Sequence, residues 1–223
     1  MLHKILFFLL TGLSLHAQDL LKSLTPKEIA DLNAGKLLYF AHEVGQMPWP
    51  RATVFHYVEA SPKEVIAVFS NYNTASTYIP NVVKSKVIKE IQPWEKEVYY
   101  ELEVPILPNE VYVATNILAY RDHGKQLEVS WTASQAKFFK TSVGNLRVEA
   151  YLSGSVLRYT NLVDPGSRIA VLLRSSAENQ VRATVSAIVK RVEYLKTKRP
   201  GELAQELEVF EKVLAALPTD KKN

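Results

Sequence analysis

Hydrophobic positions recur along this chain with two periods, and the switch between them marks its elements. From Ala52 to Ala60 the period is two: Val54, His56 and Val58 fall on one side, Thr53, Phe55, Tyr57 and Glu59 on the other. That alternation predicts a strand. Val98, Tyr100, Leu102 and Val104 alternate with Glu97, Tyr99, Glu101 and Glu103, the pattern of a sheet that is wet on one face. Val111, Val113, Thr115 and Ile117 alternate in the next strand, and Asp122-His123-Gly124-Lys125 predicts the turn of a hairpin. Leu127, Val129, Trp131 and Ala133 then face inward against Glu128, Ser130 and Thr132, and Leu146, Val148, Ala150 and Leu152 repeat the pattern. Val156 to Val163 forms the last strand, closed by Asp164-Pro165-Gly166.

Beyond that turn the period becomes helical. Val181, Val185, Ile188, Val192 and Leu195 recur every three or four residues, the stripe of a long amphipathic helix. Pro200-Gly201 breaks it, and Leu203, Leu207, Phe210, Leu214 and Leu217 mark a second. Two shorter helices carry explicit start signals. Thr25-Pro26 with Glu28, and Ser61-Pro62 with Glu64, each combine a capping hydroxyl, proline in the first turn and a glutamate three residues on. Gly35 is placed to end the first. Asn71 to Tyr78 reads as another short helix, stopped by Pro80, and residues 43–50, with Gly45, Pro48 and Pro50, as a loop. The predicted class is α+β: a strand, two short helices, about six more antiparallel strands, then a long helix able to cover the apolar sheet face. A curved sheet of about seven strands wrapped around one helix tends to leave a cavity between them.

The N-terminus changes the picture. Lys4, the apolar run Ile5 to Leu15 and Ala17 before Gln18 read as a signal peptide over residues 1–17, too short an apolar run to span a bilayer as a helix. An uncleaved anchor is the alternative. The expectation is an exported protein, periplasmic or extracellular, with a helical extension over 18–50, the main domain over 51–198 and an additional helix and tail over 199–223. Apolar residues make up 47% and charged residues 22%, so a packed core is expected. There is no cysteine, which removes disulfides, thiolate metal sites and cysteine nucleophiles. Net charge is +4, or +3 without Lys4, and no basic run is interleaved with aromatics. Nucleic acid is therefore not an expected partner, whereas transient contact with an anionic membrane surface is allowed. Oligomeric state is left open.

Several segments carry a resemblance to a known group. Ala60-Ser61-Pro62-Lys63-Glu64-Val65-Ile66-Ala67-Val68-Phe69, then Asn71-Tyr72 and Tyr78-Ile79-Pro80-Asn81-Val82-Val83-Lys84-Ser85, resemble the first strand-to-helix passage and second-strand entry of the START-like superfamily, the polyketide cyclase and lipid-transport group. Thr160 with Val163-Asp164-Pro165-Gly166 resembles the end of its last strand, and Leu24-Thr25-Pro26 through Gly35-Lys36 the N-terminal extension of exported bacterial members. The resemblance covers roughly residues 24–198 and implies a helix-grip fold whose cavity holds a hydrophobic or amphiphilic small molecule. Such cavities take lipids, sterols, quinones, plant hormones and polyketides; a few members are enzymes, and many have no assigned activity. For this chain the resemblance implies a carrier or sensor, with a cyclase or aromatase enzyme as the alternative. Residues 199–217 depart from the pattern and leave three roles open: a plug at the cavity mouth, an external packing element, or a partner contact.

Candidate chemistry is sparse. His42, His56 and His123 lack metal-motif spacing, and no nucleophile elbow or phosphate loop is present, so neither a metal nor a cofactor is expected. Only the tyrosines, Glu101 and His56 could serve an enzyme as acid or base. The chain has 11 tyrosines and 3 tryptophans, whose large apolar rings with a polar tip suit amphiphilic ligands. Tyr78, Tyr100, Tyr112, Trp131 and Tyr159 are the candidate ligand contacts, with Arg158 and Arg174 for an anionic head group. The same rings could instead fill the core, because one residue of register shift moves a side chain to the other face. A filled domain that only contacts another protein is the third reading.

Overall fold

A computed structural model describes residues 19–104, 108–134, 136–166 and 173–218. The signal-peptide segment 1–17 and the tail 219–223 lie outside the described residues. The helices are α1 (Pro26–Asn33), α2 (Pro62–Ser70), α3 (Arg174–Lys198) and α4 (Pro200–Ala215), with 3₁₀ segments at Asp19–Ser23, Tyr72–Thr77 and Asp122–Gly124. The strands are β1 (Leu38–His42), β2 (Arg51–Val58), β3 (Val82–Gln92), β4 (Glu95–Leu102), β5 (Glu110–Arg121), β6 (Gln126–Ser134), β7 (Thr141–Tyr151) and β8 (Gly154–Asp164).

Both predicted capping boxes form. The Thr25 hydroxyl accepts from the Glu28 N–H at 3.3 Å while the Glu28 carboxylate accepts from the Thr25 N–H at 2.7 Å; Ser61 and Glu64 repeat the exchange at 3.3 and 2.6 Å. Gly35 follows α1 with φ +77°, a left-handed conformation that costs a side-chain-bearing residue energy.

All strands join one antiparallel sheet in the order β1-β2-β8-β7-β6-β5-β4-β3. β3 to β8 meander through hairpins, and β8 returns beside β2. The connection from β2 to β3 must therefore cross the whole sheet, and α2 does so, packed on β6 and β7. Three register shifts interrupt the β3–β4 pairing, irregularities that increase local twist and bend an edge. The sheet has eight strands where seven were expected, and the two short helices follow the second strand. The extra strand is β1, paired from Leu38↔Phe55 to His42↔Arg51. Its five residues lie in the segment read as helical extension, and a strand that short carries too little alternation to register as one.

One core lies on the inner sheet face. It joins Val54, Val58, Val129, Leu146, Val148 and Leu157 to Val65, Ile66 and Val68 of α2, the α3 stripe, and Leu203, Phe210 and Leu214 of α4. α4 packs against α2 and α3 and contributes to this core. A second, smaller core lies on the outer face, where Leu20, Leu21, Leu24 and Leu32 cover Phe55 and Val156. The Leu20 N–H and the Gln126 amide both donate to the buried Glu149 carboxylate, tying the N-terminal extension to the sheet.

Candidate functional site

The grip helix is seated along only half its length. Its fully buried residues, Val185, Ile188, Val189, Val192 and Leu195, all lie toward its C-terminal end. From Leu173 to Thr184 it stands off the sheet, and a cavity of about 490 Å³ occupies the gap. That volume falls in the range of small-molecule sites, roughly 300–1,000 Å³. The sheet offers small side chains opposite the raised half: Ala52, Ala114 and Ser142. The space arises because neither wall supplies atoms to fill it.

Aromatic rings define its shape. Tyr100 stacks on Tyr112 at 5.3 Å, Phe139 meets the Tyr112 ring edge-on at 5.3 Å, and Trp131 lies 5.1 Å from Tyr159 and 6.2 Å from Phe69. Gly144 sits opposite Trp131 in the β6–β7 ladder. A Cβ there would come within 2.3 Å of the indole ring, so the tryptophan lies flat over the glycine.

Polar groups are few. Burial pushes the Tyr100, Tyr112 and Tyr159 phenols above their ordinary range, so each keeps its proton at ordinary pH. None of the three hydroxyls has a hydrogen-bond partner among the described residues. Asn116 donates to the Ala114 carbonyl at 3.1 Å. The two lining carboxylates are both engaged. Glu110 accepts from the Lys137 and Phe138 N–H groups at 2.7 and 2.9 Å, pinning the segment that carries Phe138 and Phe139 across the cavity. Glu178 pairs with Arg174 at 3.0 Å, and Arg174 also reaches Glu43 at 2.8 Å. These hydrogen bonds raise the Arg174 pKa, first that to Glu43 and then that to Glu178. The Tyr39 hydroxyl is buried without a partner, and its ring lies 3.7 Å beneath the Arg182 guanidinium.

Of the residues expected to touch a ligand, Tyr100, Tyr112, Trp131, Tyr159 and Arg174 line this cavity. Two do not. Tyr78 packs behind α2, its hydroxyl 3.5 Å from the Val68 carbonyl; burial raises its pKa, and after burial the nearby Glu206 charge. Arg158 lies on the outer sheet face. Leu157 and Tyr159 point inward, and the period of two sends the residue between them the other way. Arg158 and Tyr159 could not have shared one site. The sequence reading also missed Tyr39, Phe69, Asn116, Phe138 and Phe139. Tyr39 was hidden in the unrecognised β1. On β5 the noticed set Val111 to Ile117 faces out, with Ile117 39% exposed, while Glu110, Tyr112, Ala114, Asn116 and Leu118 face in. The signal available was the polar and small character of that second set, which suits a strand lining a cavity.

His56 lies on the inner face of β2 but outside the cavity, its Nδ1 against the Tyr57 carbonyl oxygen. Glu101 accepts from Asn109 at 2.7 Å and does not line the cavity. Among the described residues no group of three or more His, Asp or Glu side chains could hold a metal ion, and no helix is long and apolar enough to cross a membrane.

No protein-family model matches the chain, and no curated protein matches it either. Solved structures do. A STAR-related lipid transfer protein fragment from Xanthomonas axonopodis is similar with TM-score 0.63 and 17% identity, covering 70% of this chain and 93% of that one. Human StAR-related lipid transfer protein 5 is similar with TM-score 0.59 and 9% identity, covering 76% and 93%. The Zhui aromatase/cyclase from Streptomyces sp. R1128 is similar with TM-score 0.55 and 13% identity, covering 66% and 96%. The chain has the helix-grip fold of START-like proteins.

Proposed function

We propose that the protein is exported and holds a hydrophobic or amphiphilic small molecule in the cavity under α3, as a carrier or a sensor. The observation that carries this reading is the raised half of the grip helix above an aromatic-lined space of about 490 Å³. Removing an apolar ligand from water into such a space is favourable at roughly 25 cal/mol per Å² of apolar surface covered. The three protonated phenols orient a polar end without carrying charge themselves. Two of the similar structures are named as lipid transfer proteins, which supports the same ligand class here. The Lys4 to Ala17 pattern supports export.

The cyclase reading draws on the third neighbour and on the free tyrosine hydroxyls. Both lining carboxylates are already engaged by backbone N–H groups or by arginine. What remains are phenols that hold their protons tightly, which suits retention of a ligand better than proton abstraction.

Native mass spectrometry of the purified protein, with organic extraction, tests the carrier reading. A co-purifying lipid-like molecule, or saturable binding of a fluorescent fatty acid, is expected. Ala177→Trp, on the raised part of α3, should fill the space and remove that binding while the protein stays folded. Wild-type protein that retains no ligand and binds no apolar probe refutes the reading. N-terminal sequencing of protein recovered outside the cytoplasm tests export, with Gln18 as the expected first residue.

A further inference from the structure

A second concave site lies on the opposite face of the sheet, and its chemistry differs from that of the cavity. It is a groove of about 670 Å³ beside the N-terminal extension, walled by Ser23 and Leu24 and floored by β1, β2, β8, β7 and β6. The pairings Thr53↔Thr160, Asn145↔Thr160 and Ser130↔Asn145 lay a continuous polar row across its floor. Arg51 lies two residues along β2 from that row and Arg158 two residues along β8. The strands are antiparallel, so the two arginines stand on opposite sides of the row. Two residues of strand span about 7 Å, within reach of an arginine side chain.

The lining contains Arg51, Arg158 and His42 and, among the described residues, no carboxylate. Neither the Arg51 nor the Arg158 side chain has a hydrogen bond or ion pair among the described residues. The Arg158 Nε and the Asn145 Oδ1 are both buried without a hydrogen-bond partner. Of the outer-face carboxylates near Arg158 in the strand ladder, Glu149 is engaged by the Leu20 N–H and the Gln126 amide, and beyond Arg147 lies Glu128. It is already shared by Arg121 at 2.7 Å and by Arg147, and Arg147 stands between it and Arg158. Burial, and after it the Arg147 charge, lower the Arg158 pKa. A buried, unpaired cation beside a like charge is costly, and the fold keeps one here beside a buried acceptor and a row of hydroxyls.

We propose that this outer groove binds a phosphate-type oxyanion, with Arg158 and Arg51 pairing its charge from two sides. The hydroxyls of Thr53, Thr160 and Ser130 donate to its oxygens. The Asn145 carbonyl oxygen accepts from the anion's own hydroxyl. This last contact sets specificity: monohydrogen phosphate carries a proton to donate and sulfate does not, so phosphate binds more tightly at equal charge. The anion is either free phosphate or the phosphate head of a larger molecule.

Calorimetric titration of the purified protein with inorganic phosphate, sulfate and glycerol phosphate tests the site. A parallel arm uses phosphatidylcholine vesicles with and without phosphatidic acid. Saturable phosphate binding is expected, tighter than sulfate and weakened about tenfold or more in Arg158→Gln, the scale of a lost charge-assisted hydrogen bond. Arg51→Gln and Thr160→Val should weaken it less. Saturation by the soluble anions identifies a small solute; saturation only by phosphatidic acid vesicles, still lost in Arg158→Gln, identifies a lipid head group. Removing an unpaired cation should leave the fold intact, and near-UV circular dichroism checks this. Absence of saturable binding in every arm overturns the proposal, as does binding that is equal in wild type, Arg158→Gln and Arg51→Gln. Apolar-probe binding in the inner cavity should be unaffected by phosphate and by these substitutions, so the two sites stand or fall separately.

Discussion

Adding one methyl group at two different glycines should move stability in opposite directions. At Gly144 a Cβ would stand 2.3 Å from the Trp131 ring and 2.3 Å from the Thr160 carbonyl oxygen, well inside van der Waals contact. The oxygen belongs to the neighbouring strand and cannot move without disturbing the ladder, so the indole must shift as well. Overpacking of this kind costs roughly 1–3 kcal/mol, and a domain of this size loses about 2–4 °C in Tm per kcal/mol. Gly144→Ala should therefore melt several degrees early. Because Trp131 is wedged between Phe69 and Tyr159, its displacement also narrows the cavity and weakens apolar-probe binding. Gly201 has no heavy atom within 4 Å of its would-be Cβ and lies in the first turn of α4. There alanine gains helix propensity and restricts the unfolded chain, so Gly201→Ala should stabilise by about 0.4–1 kcal/mol. Urea unfolding of both variants, with tryptophan emission and probe titration, gives the comparison. If Gly144→Ala unfolds at the wild-type midpoint and binds the probe with unchanged affinity, Trp131 does not shape the cavity as described.

Other outcomes follow from single contacts. Burial, only partly offset by the Asn71 hydrogen bond, raises the Glu206 pKa. The folded state therefore holds this proton more tightly than the unfolded chain, and stability should fall as pH rises from the ordinary glutamate value through the raised one. Glu206→Gln should flatten that slope and be the more stable protein above it, measured by urea unfolding across a pH series; an unchanged slope contradicts this. Leu152 is 70% exposed with φ +50° in the β7–β8 turn, so Leu152→Gly should gain about 1 kcal/mol by relieving left-handed strain. A lower Tm for that variant would contradict it. Glu110→Ala frees the Lys137 and Phe138 N–H groups and should speed both proteolysis at residues 136–140 and release of a bound probe, read by limited digestion and stopped-flow displacement. Unchanged rates would mean that Glu110 does not hold that segment.

Local signals along the chain specify all the main elements except β1, and their order. Capping boxes at Thr25 and Ser61, period-two runs from Val54 to Val163 and the stripe from Val181 to Leu195 are local signals, each set by residues within a few positions of one another. The resemblance in Ala60–Phe69 and Tyr78–Ser85 then pointed to a helix-grip arrangement, and the fold agrees. The aromatic pattern also named four rings of the cavity, Tyr100, Tyr112, Trp131 and Tyr159, and the charge pattern Arg174.

Tertiary structure decided the rest. Whether β5 presents Val113 or Tyr112 to the interior depends on its pairing with β4 and β6, and alternation alone allows either parity. Arg158 could face either way from its sequence, because its own strand does not say which side carries the helix; it lies on the outer one. β1 became a strand only because β2 had an open edge to pair with. The cavity is the clearest case: it exists where small residues of several strands meet the raised half of α3, and one segment, such as the small and polar set on β5, carries only a fragment of that packing.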